Sequence, residues 1–263
     1  MSDVATQTTG AVITLTIDRP KAFNALNSAV VEELSHAVQV AADDPGIRAV
    51  IITGSGTKAF SAGADLHELD GLDADRASVV LAGGQRAFRA IEQAPIPVIA
   101  AVNGLALGGG FELVLACTLS VLSTAAKLGL PESGLGLIPG YGGTQRLPRI
   151  IGRSAAAHLM LTGSRLDADR AYQLGLTPVP PVDPEHLMPT AIELAETIAA
   201  QGPRAVRAIL RALGVGGDAA LDAGLCIETG LAALALAGAE STEGIGAFHE
   251  RRTACFSDPE VEL

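Results

Sequence analysis

The stretch AVNGLALGGGFEL (residues 101–113) decides how the rest of the chain is read. It continues PVIAAV (97–102), a short unbroken apolar run that suits a strand buried on both faces. From there the chain passes through Gly104, Gly108, Gly109 and Gly110 into an apolar, helix-like segment that reaches Cys117. Gly109 therefore falls near a helix N-terminus, where main-chain N–H groups lack partners and the dipole is positive. Glycines at such a junction let another molecule approach the backbone closely.

A second junction lies upstream. AVIIT (49–53) is another buried-strand run, and AFSAGAD (59–65) follows it as a loop of small residues with N–H groups to offer. The alternating, β-branched AVITLTI (11–17) reads as a strand that ends at the Asp18-Arg19-Pro20 turn. After Asn27-Ser28, a capping pair, Val30, Val31, Leu34 and Val38 recur at helical spacing up to Asp43-Asp44-Pro45. A helical stretch from about Asp73 to Gln93 separates the two buried strands. From Ser154 onward strands are scarce, and helical segments follow one another with caps at Asp167, Asp183 and Ser241. The chain thus divides into an α/β front and a helical back. Within the back, residues 221–239 are apolar or small apart from Asp222, Glu228 and Thr229, so that helix needs cover on several sides, which another subunit can supply.

Composition narrows the function classes. At 263 residues the chain can fill one α/β domain, with or without a small helical appendage. With 48% hydrophobic and 18% charged residues it has ample core material. A net charge of -11, with no stripe of Lys and Arg among aromatics, argues against a nucleic-acid partner. A small polyanion remains possible through backbone amides. Cys117, Cys226 and Cys255 are scattered and form no CxxC pair, which suits a reducing cytoplasm. Residues 1–10 lack the basic start and apolar core of a secretory signal, and residues 97–118 are broken by Asn103, four glycines and Glu112, so no membrane association is expected.

Several motifs fall away on spacing. Gly134, Gly136 and Gly140 miss the dinucleotide pattern by one place, and GSGTK (54–58) lacks the P-loop spacing. His67-Glu68 begins a zinc motif that Gly71 breaks, and no GxSxG elbow or Cys–His pair points to covalent catalysis. What remains is the pair of glycine-bearing junctions. N–H groups of Ala64 and Gly109, if they converge, form an oxyanion hole able to hold a thioester carbonyl as it gains enolate charge. Either junction alone reads equally as a tight turn; two together weaken that reading. Glu112 in the first helical turn reads on its own as a dipole-favoured capping acid. Glu132, in LGLPESG (128–134), reads on its own as a solvent-facing acid in an apolar loop.

Set side by side, AFSAGADL (59–66), AVNGLALGGGFEL (101–113), LGLPESGLGLIPGYGGTQRL (128–147) and EGIGAFHERR (243–252), with DRPKAFNAL (18–26) ahead of them, resemble the signatures of the enoyl-CoA hydratase/isomerase (crotonase) family in order and spacing. The resemblance covers nearly the whole chain. It implies an α/β fold, a spiral of β-β-α turns over residues 1–200, followed by a helical trimerisation region over residues 201–263, assembled as a homotrimer or a dimer of trimers. It implies an oxyanion hole from Ala64 and Gly109 and catalytic roles for Glu112 and Glu132. It places coenzyme A contacts at Lys21, Ala22, Ala62, Ala64, Leu66 and His67, and further substrate contacts at Gly109, Pro131, Gly140, Tyr141 and Arg251. It implies an acyl-CoA thioester substrate, no metal and no resident cofactor, since coenzyme A is part of the substrate. Thr118 stands where the family often has Asp, His67 where a basic residue often meets the 3′-phosphate, and Ala232 where some members place an aromatic.

Hydration of a 2-enoyl thioester needs water at the β-carbon, a proton for the α-carbon and cover for charge on the thioester oxygen. Two glutamates and two amides meet those needs. Carboxylates sharing a site push one pKa up, so the pair can present base and acid together. Glu112 is assigned to water and Glu132 to the α-carbon, with Phe60, Phe111, Leu137, Ile138 and Tyr141 as candidates for the acyl pocket wall. The alternatives are an enoyl-CoA isomerase, which needs one base, and a CoA-ester-binding protein with little turnover. Retention of both glutamates favours the hydratase.

Overall fold

The computed structural model describes residues 2–256, so residues 257–263 of the expected C-terminal region lie outside the described residues. In chain order the elements are β1 (Val4–Thr9), β2 (Val12–Ile17), α1 (Ser28–Asp43), β3 (Ala49–Gly54), β4 (Ala59–Ser61), α2 (Leu66–Leu69), α3 (Ala74–Glu92), β5 (Val98–Val102), β6 (Leu105–Leu107), α4 (Gly109–Ala116), β7 (Leu119–Leu122) and β8 (Lys127–Gly129). A 3₁₀ turn (Glu132–Leu135) precedes α5 (Gly143–Ile151), α6 (Arg153–Thr162), β9 (Arg165–Asp167), α7 (Ala168–Gln173), α8 (Leu187–Ala199), α9 (Pro203–Gly217), α10 (Leu221–Leu236) and α11 (Ala239–Glu250).

The strands form two sheets, ordered β1-β2-β3-β5-β7 and β4-β6-β8-β9. Consecutive strands alternate between them: β3, β5 and β7 enter the larger sheet in parallel, and β4, β6 and β8 enter the smaller one, also in parallel. Each winding therefore gives one strand to each sheet, and helices α3 and α4 close the first two, which is the spiral of β-β-α turns. The strand runs read as doubly buried are so for a period-two reason. Val50, Ile52, Val98, Ala100 and Val102 face one core with α1 and α3. Ala49, Ile51, Ile99 and Ala101 face another, closed by Leu187, Ala191 and Ala195 of α8.

Local signals set several boundaries. Asn27 caps α1 by accepting from Val30 N–H, and Asp73 caps α3 by accepting from Arg76 N–H. Asp167 caps α7 in the same way. Ser241 is not a cap: it lies inside α11, whose N-cap is Gly238, and its hydroxyl bonds back to Leu236 and Gly238 carbonyls. Asp183 precedes a 3₁₀ turn without a capping bond, and α8 begins beyond it. Strand β1 was not expected, because only Val4 of its six residues is buried and an exposed edge leaves no alternation to read. Helix α10 has no buried residue, and Leu221, Leu225, Leu234 and Leu236 are exposed on it. No single helix among the described residues is long and apolar enough to cross a membrane.

Candidate active site

Strand β6 ends where the sequence changes from Leu107 to three glycines. Gly108 takes φ 49° and ψ −126°, a conformation in which only glycine escapes steric strain. Its N–H donates to Gly129 O at 2.9 Å, tying the start of α4 to β8. Gly109, the first residue of α4, has an N–H that no carbonyl accepts among the described residues.

The partner amide comes from the loop after β4. Leu26 bridges Ala64 in parallel, its N–H donating to Gly63 O (2.8 Å) and its carbonyl accepting from Asp65 N–H (2.9 Å). A parallel bridge of this kind uses the groups on either side of Ala64, so Ala64 N–H points away from Leu26 and is also unbonded. A Cβ on Gly109 would stand 3.3 Å from Ala64 N, and one on Gly63 would stand 3.5 Å from Gly109 N. The two free amides are therefore neighbours, as an oxyanion hole requires.

Both glutamates meet at this point. Glu112 is 2% exposed, and its Oε1 accepts from Tyr141 N–H (2.8 Å) and Gly143 N–H (2.7 Å) at the start of α5. It is thus no surface cap for α4; its carboxylate crosses to the N-terminus of another helix. Oε2 accepts no hydrogen bond among the described residues. Glu132 opens the 3₁₀ turn after Pro131, and its Oε1 lies 3.1 Å from where a Cβ on Gly108 would be. It is half-buried rather than solvent-facing, and its Oε2 is buried without a partner among the described residues.

Burial is the largest influence on Glu112 and pushes its pKa up to about 7. The bonds from Gly143 and Tyr141 and the Arg146 charge pull it down, whereas the Glu132 charge pushes it further up. Burial likewise raises Glu132 above the ordinary carboxylate range. Two carboxyls whose hold on a proton is strengthened by burial, beside two free amides, can exchange protons with a substrate whose carbonyl the amides polarise.

The remaining expected site residues fall into three groups. The 3₁₀ turn holding Lys21 and Ala22 is stitched to the loop of Ala62, Ala64 and Leu66, because Ala62 N–H donates to Phe23 O (3.0 Å) and Arg19 pairs with Asp65 (3.1 Å). Lys21, Ala22, Ala62, Leu66 and His67 all present exposed surface there. Tyr141 packs its ring against Gly109, Gly84 and, edge-on at 5.2 Å, Phe88, while Gly140 rests on Leu81. Arg251 stands apart at the end of α11, exposed, its side chain making no hydrogen bond or ion pair among the described residues. Of the acyl-wall candidates, Phe60 and Phe111 are fully buried core side chains, whereas Leu137 and Ile138 are exposed just after the 3₁₀ turn that carries Glu132.

Two residues escaped the sequence reading. Asn24, 1% exposed, donates to Ser55 O (3.0 Å) and Ala59 O (2.8 Å) and accepts from Arg19 N–H (3.1 Å), so it fixes the loop that carries Ala64. Arg146 bonds Tyr141 O (2.8 Å). The partly buried Cys117 thiol, pushed up to about 12 by its desolvation, is unsuited to act as a nucleophile. The metal-competent group among the described residues, Asp183, Glu185 and His186, is exposed and includes neither Glu112 nor Glu132.

The chain resembles known proteins along nearly its whole length. The pattern of the enoyl-CoA hydratase/isomerase family matches residues 7–259. A crotonyl-CoA hydratase of Syntrophomonas wolfei is 44% identical over 242 residues, covering 92% of this chain and 93% of its own. A 2,3-dehydroadipyl-CoA hydratase of Escherichia coli is 40% identical over 257 residues, covering 97% and 99%. The crystal structure of an enoyl-CoA hydratase from Bacillus anthracis superposes with a TM-score of 0.93 at 39% identity, covering 98% of this chain and all of that one. A pattern that runs almost from end to end, on relatives of this identity and a matching fold, places the chain in the enoyl-CoA hydratase/isomerase family.

Proposed function

We propose that this protein is an enoyl-CoA hydratase, which reversibly adds water to a 2-enoyl-CoA thioester to give the 3-hydroxyacyl-CoA. The observation that carries this is the meeting of two carboxyls with raised pKa at two unbonded amides. Ala64 and Gly109 N–H hold the thioester oxygen. Glu112 Oε2 takes a proton from water as the water oxygen bonds to the β-carbon, and the double-bond electrons move onto the carbonyl as an enolate. The enolate collapses as Glu132 gives its proton to the α-carbon, and the pair then redistributes the proton it has gained and lost. Atoms and charge balance without an electron acceptor, so the step calls for no nicotinamide; in this reading the two amides polarise the carbonyl in place of a Lewis-acid metal, and coenzyme A enters with the substrate.

The exposed loop containing Lys21, Ala22, Ala62, Leu66 and His67 is the coenzyme A contact, Pro131, Gly140 and Tyr141 lie toward the acyl end, and Arg251 acts from a neighbouring subunit. Two relatives carry names that specify crotonyl-CoA and 2,3-dehydroadipyl-CoA, which makes short enoyl thioesters the first substrates to test. Residues 1–200 form the catalytic spiral and 201–263 the oligomerisation region of a homotrimer or dimer of trimers, a reading supported by the uncovered leucines of α10. Three free thiols suit the cytoplasm. The test is loss of the conjugated enoyl absorbance when the protein meets crotonyl-CoA after exhaustive chelation. Turnover that returns only with added metal, or a double-bond shift without hydration, would refute the reading.

A further inference from the structure

Helix α5 starts with glycines, and the fourth of its residues turns its side chain back over that start. Arg146 Nη1 reaches Tyr141 O at 2.8 Å across Gly142, where even a Cβ would stand 2.2 Å from Nη1. Gly142 also sits at φ 111°, so glycine is required there twice over. The rest of the guanidinium forks onto Glu92 at the end of α3, Nε to Oε1 at 3.1 Å and Nη2 to Oε2 at 2.9 Å. Glu92 is held in turn by Arg89 (2.8 Å), which also pairs with Asp218 between α9 and α10. The Arg146 side chain is 13% exposed, so this fork is shielded from bulk water.

We propose that Arg146 is a positioning residue for Glu112: by pinning the Tyr141 carbonyl it holds the amides of Tyr141 and Gly143 on Glu112 Oε1 and leaves Oε2 as the oxygen that meets water. The Tyr141–Gly142 peptide lies between the two peptides that carry the N–H groups of Tyr141 and Gly143, so pinning its carbonyl restrains the donor on either side of it. A carboxylate bonded through one oxygen only has its plane fixed while the other oxygen is free to act as base. Glu92 serves as the anchor; although burial pushes its pKa up, the bonds from Arg146 and Arg89 outweigh that and keep it ionised. The groups that face Glu112 are Glu132 from the 3₁₀ turn and Tyr141 and Arg146 around the start of α5; Arg146, the cation among them, also lies near the partly buried Cys117.

The kinetic arm of the test rests on the hydratase reading, and an infrared arm does not. Glu112 is followed by carboxyl infrared difference titration, assigned with Glu112→Gln. In Arg146→Met its midpoint should rise by about one pH unit, because a cation and two well-seated donors are lost together. With crotonyl-CoA, kcat should fall about 10- to 100-fold with KM little changed, and the acid limb of kcat should move to higher pH. Arg146→Lys keeps the charge without the fork and should recover the acid limb but only part of kcat. Glu92→Gln, which frees the anchor, should lower kcat with KM unchanged. A folded Arg146→Met protein with the wild-type infrared midpoint overturns the proposal. If that variant does not fold, an unchanged kcat in Arg146→Lys, or an unchanged infrared midpoint in Glu92→Gln, where loosened donors should raise it, overturns it instead. Absence of wild-type turnover refutes the hydratase reading alone, and the infrared midpoint still decides the role of Arg146.

Discussion

Glu112→Gln should abolish turnover and at the same time make the fold more stable at neutral pH. Burial raises Glu112 from 4.5 to about 7 in the folded chain, so the folded state binds that proton more tightly than the unfolded state does. The stabilisation is fully present below the unfolded value and is lost as pH rises through the folded one. At about 1.4 kcal/mol per pKa unit, ionised Glu112 weakens the fold by up to about 3 kcal/mol above neutrality. Glutamine carries no charge at any pH, and its carbonyl oxygen can still accept from Tyr141 and Gly143. The stability of the variant minus that of the wild type should therefore climb between about pH 4.5 and about pH 7 and level off above it. Urea unfolding at fixed protein concentration, repeated at several pH values, measures this difference. Taking the difference removes groups distant from the site, such as Glu243, which its Arg252 bonds hold down at about 2. A constant offset across the range would refute the claim that Glu112 is stored in the fold as a costly, reactive base.

Three other outcomes follow from the same geometry. Glu132→Gln should also stop hydration, and the double variant should be little worse than the worse single one, because the two carboxyls serve one water and one enolate; comparison of the kcat/KM values checks this. If instead Glu112→Gln retained full hydration while Glu132→Gln lost all turnover, a one-base isomerase would describe the protein better. Gly109→Ala places a methyl 3.3 Å from Ala64 N and 3.3 Å from the Tyr141 ring, at a φ that L residues adopt, and should lower kcat by about 10²- to 10³-fold while circular dichroism stays unchanged. Light scattering at micromolar concentration should give a trimer or hexamer, and Leu225→Glu together with Leu234→Glu on α10 should dissociate it; a stable wild-type monomer would remove both the oligomer and the role of Arg251 across its interface.

Residues whose structure depends on near neighbours were legible before any coordinates. Asn27 and Asp167 cap their helices through bonds three residues long, and β3 and β5 announce themselves as short runs of almost unbroken apolar residues because both their faces are buried. Gly109 at a helix start could likewise be placed, since the change from apolar run to glycines to apolar helix is local. The three-residue strands β4, β6 and β8 could not, because they are too short to show a period and exist only by pairing with one another. For Glu112 the chain order gave its helical turn, but not its partners, which lie 29 and 31 positions away. Arg146 has no role of its own in the sequence reading, where it lies only within the 128–147 signature; its connection to Glu92, 54 positions earlier, appears only once α3 and α5 pack together. Sequence alone thus determined which residue types and local turns could make an acid–base site, because caps, burial periodicity and glycine junctions act over a few residues. Only the tertiary structure decided which oxygen of Glu112 is held and which is free, because that depends on donors and a counter-ion brought together from three separate elements.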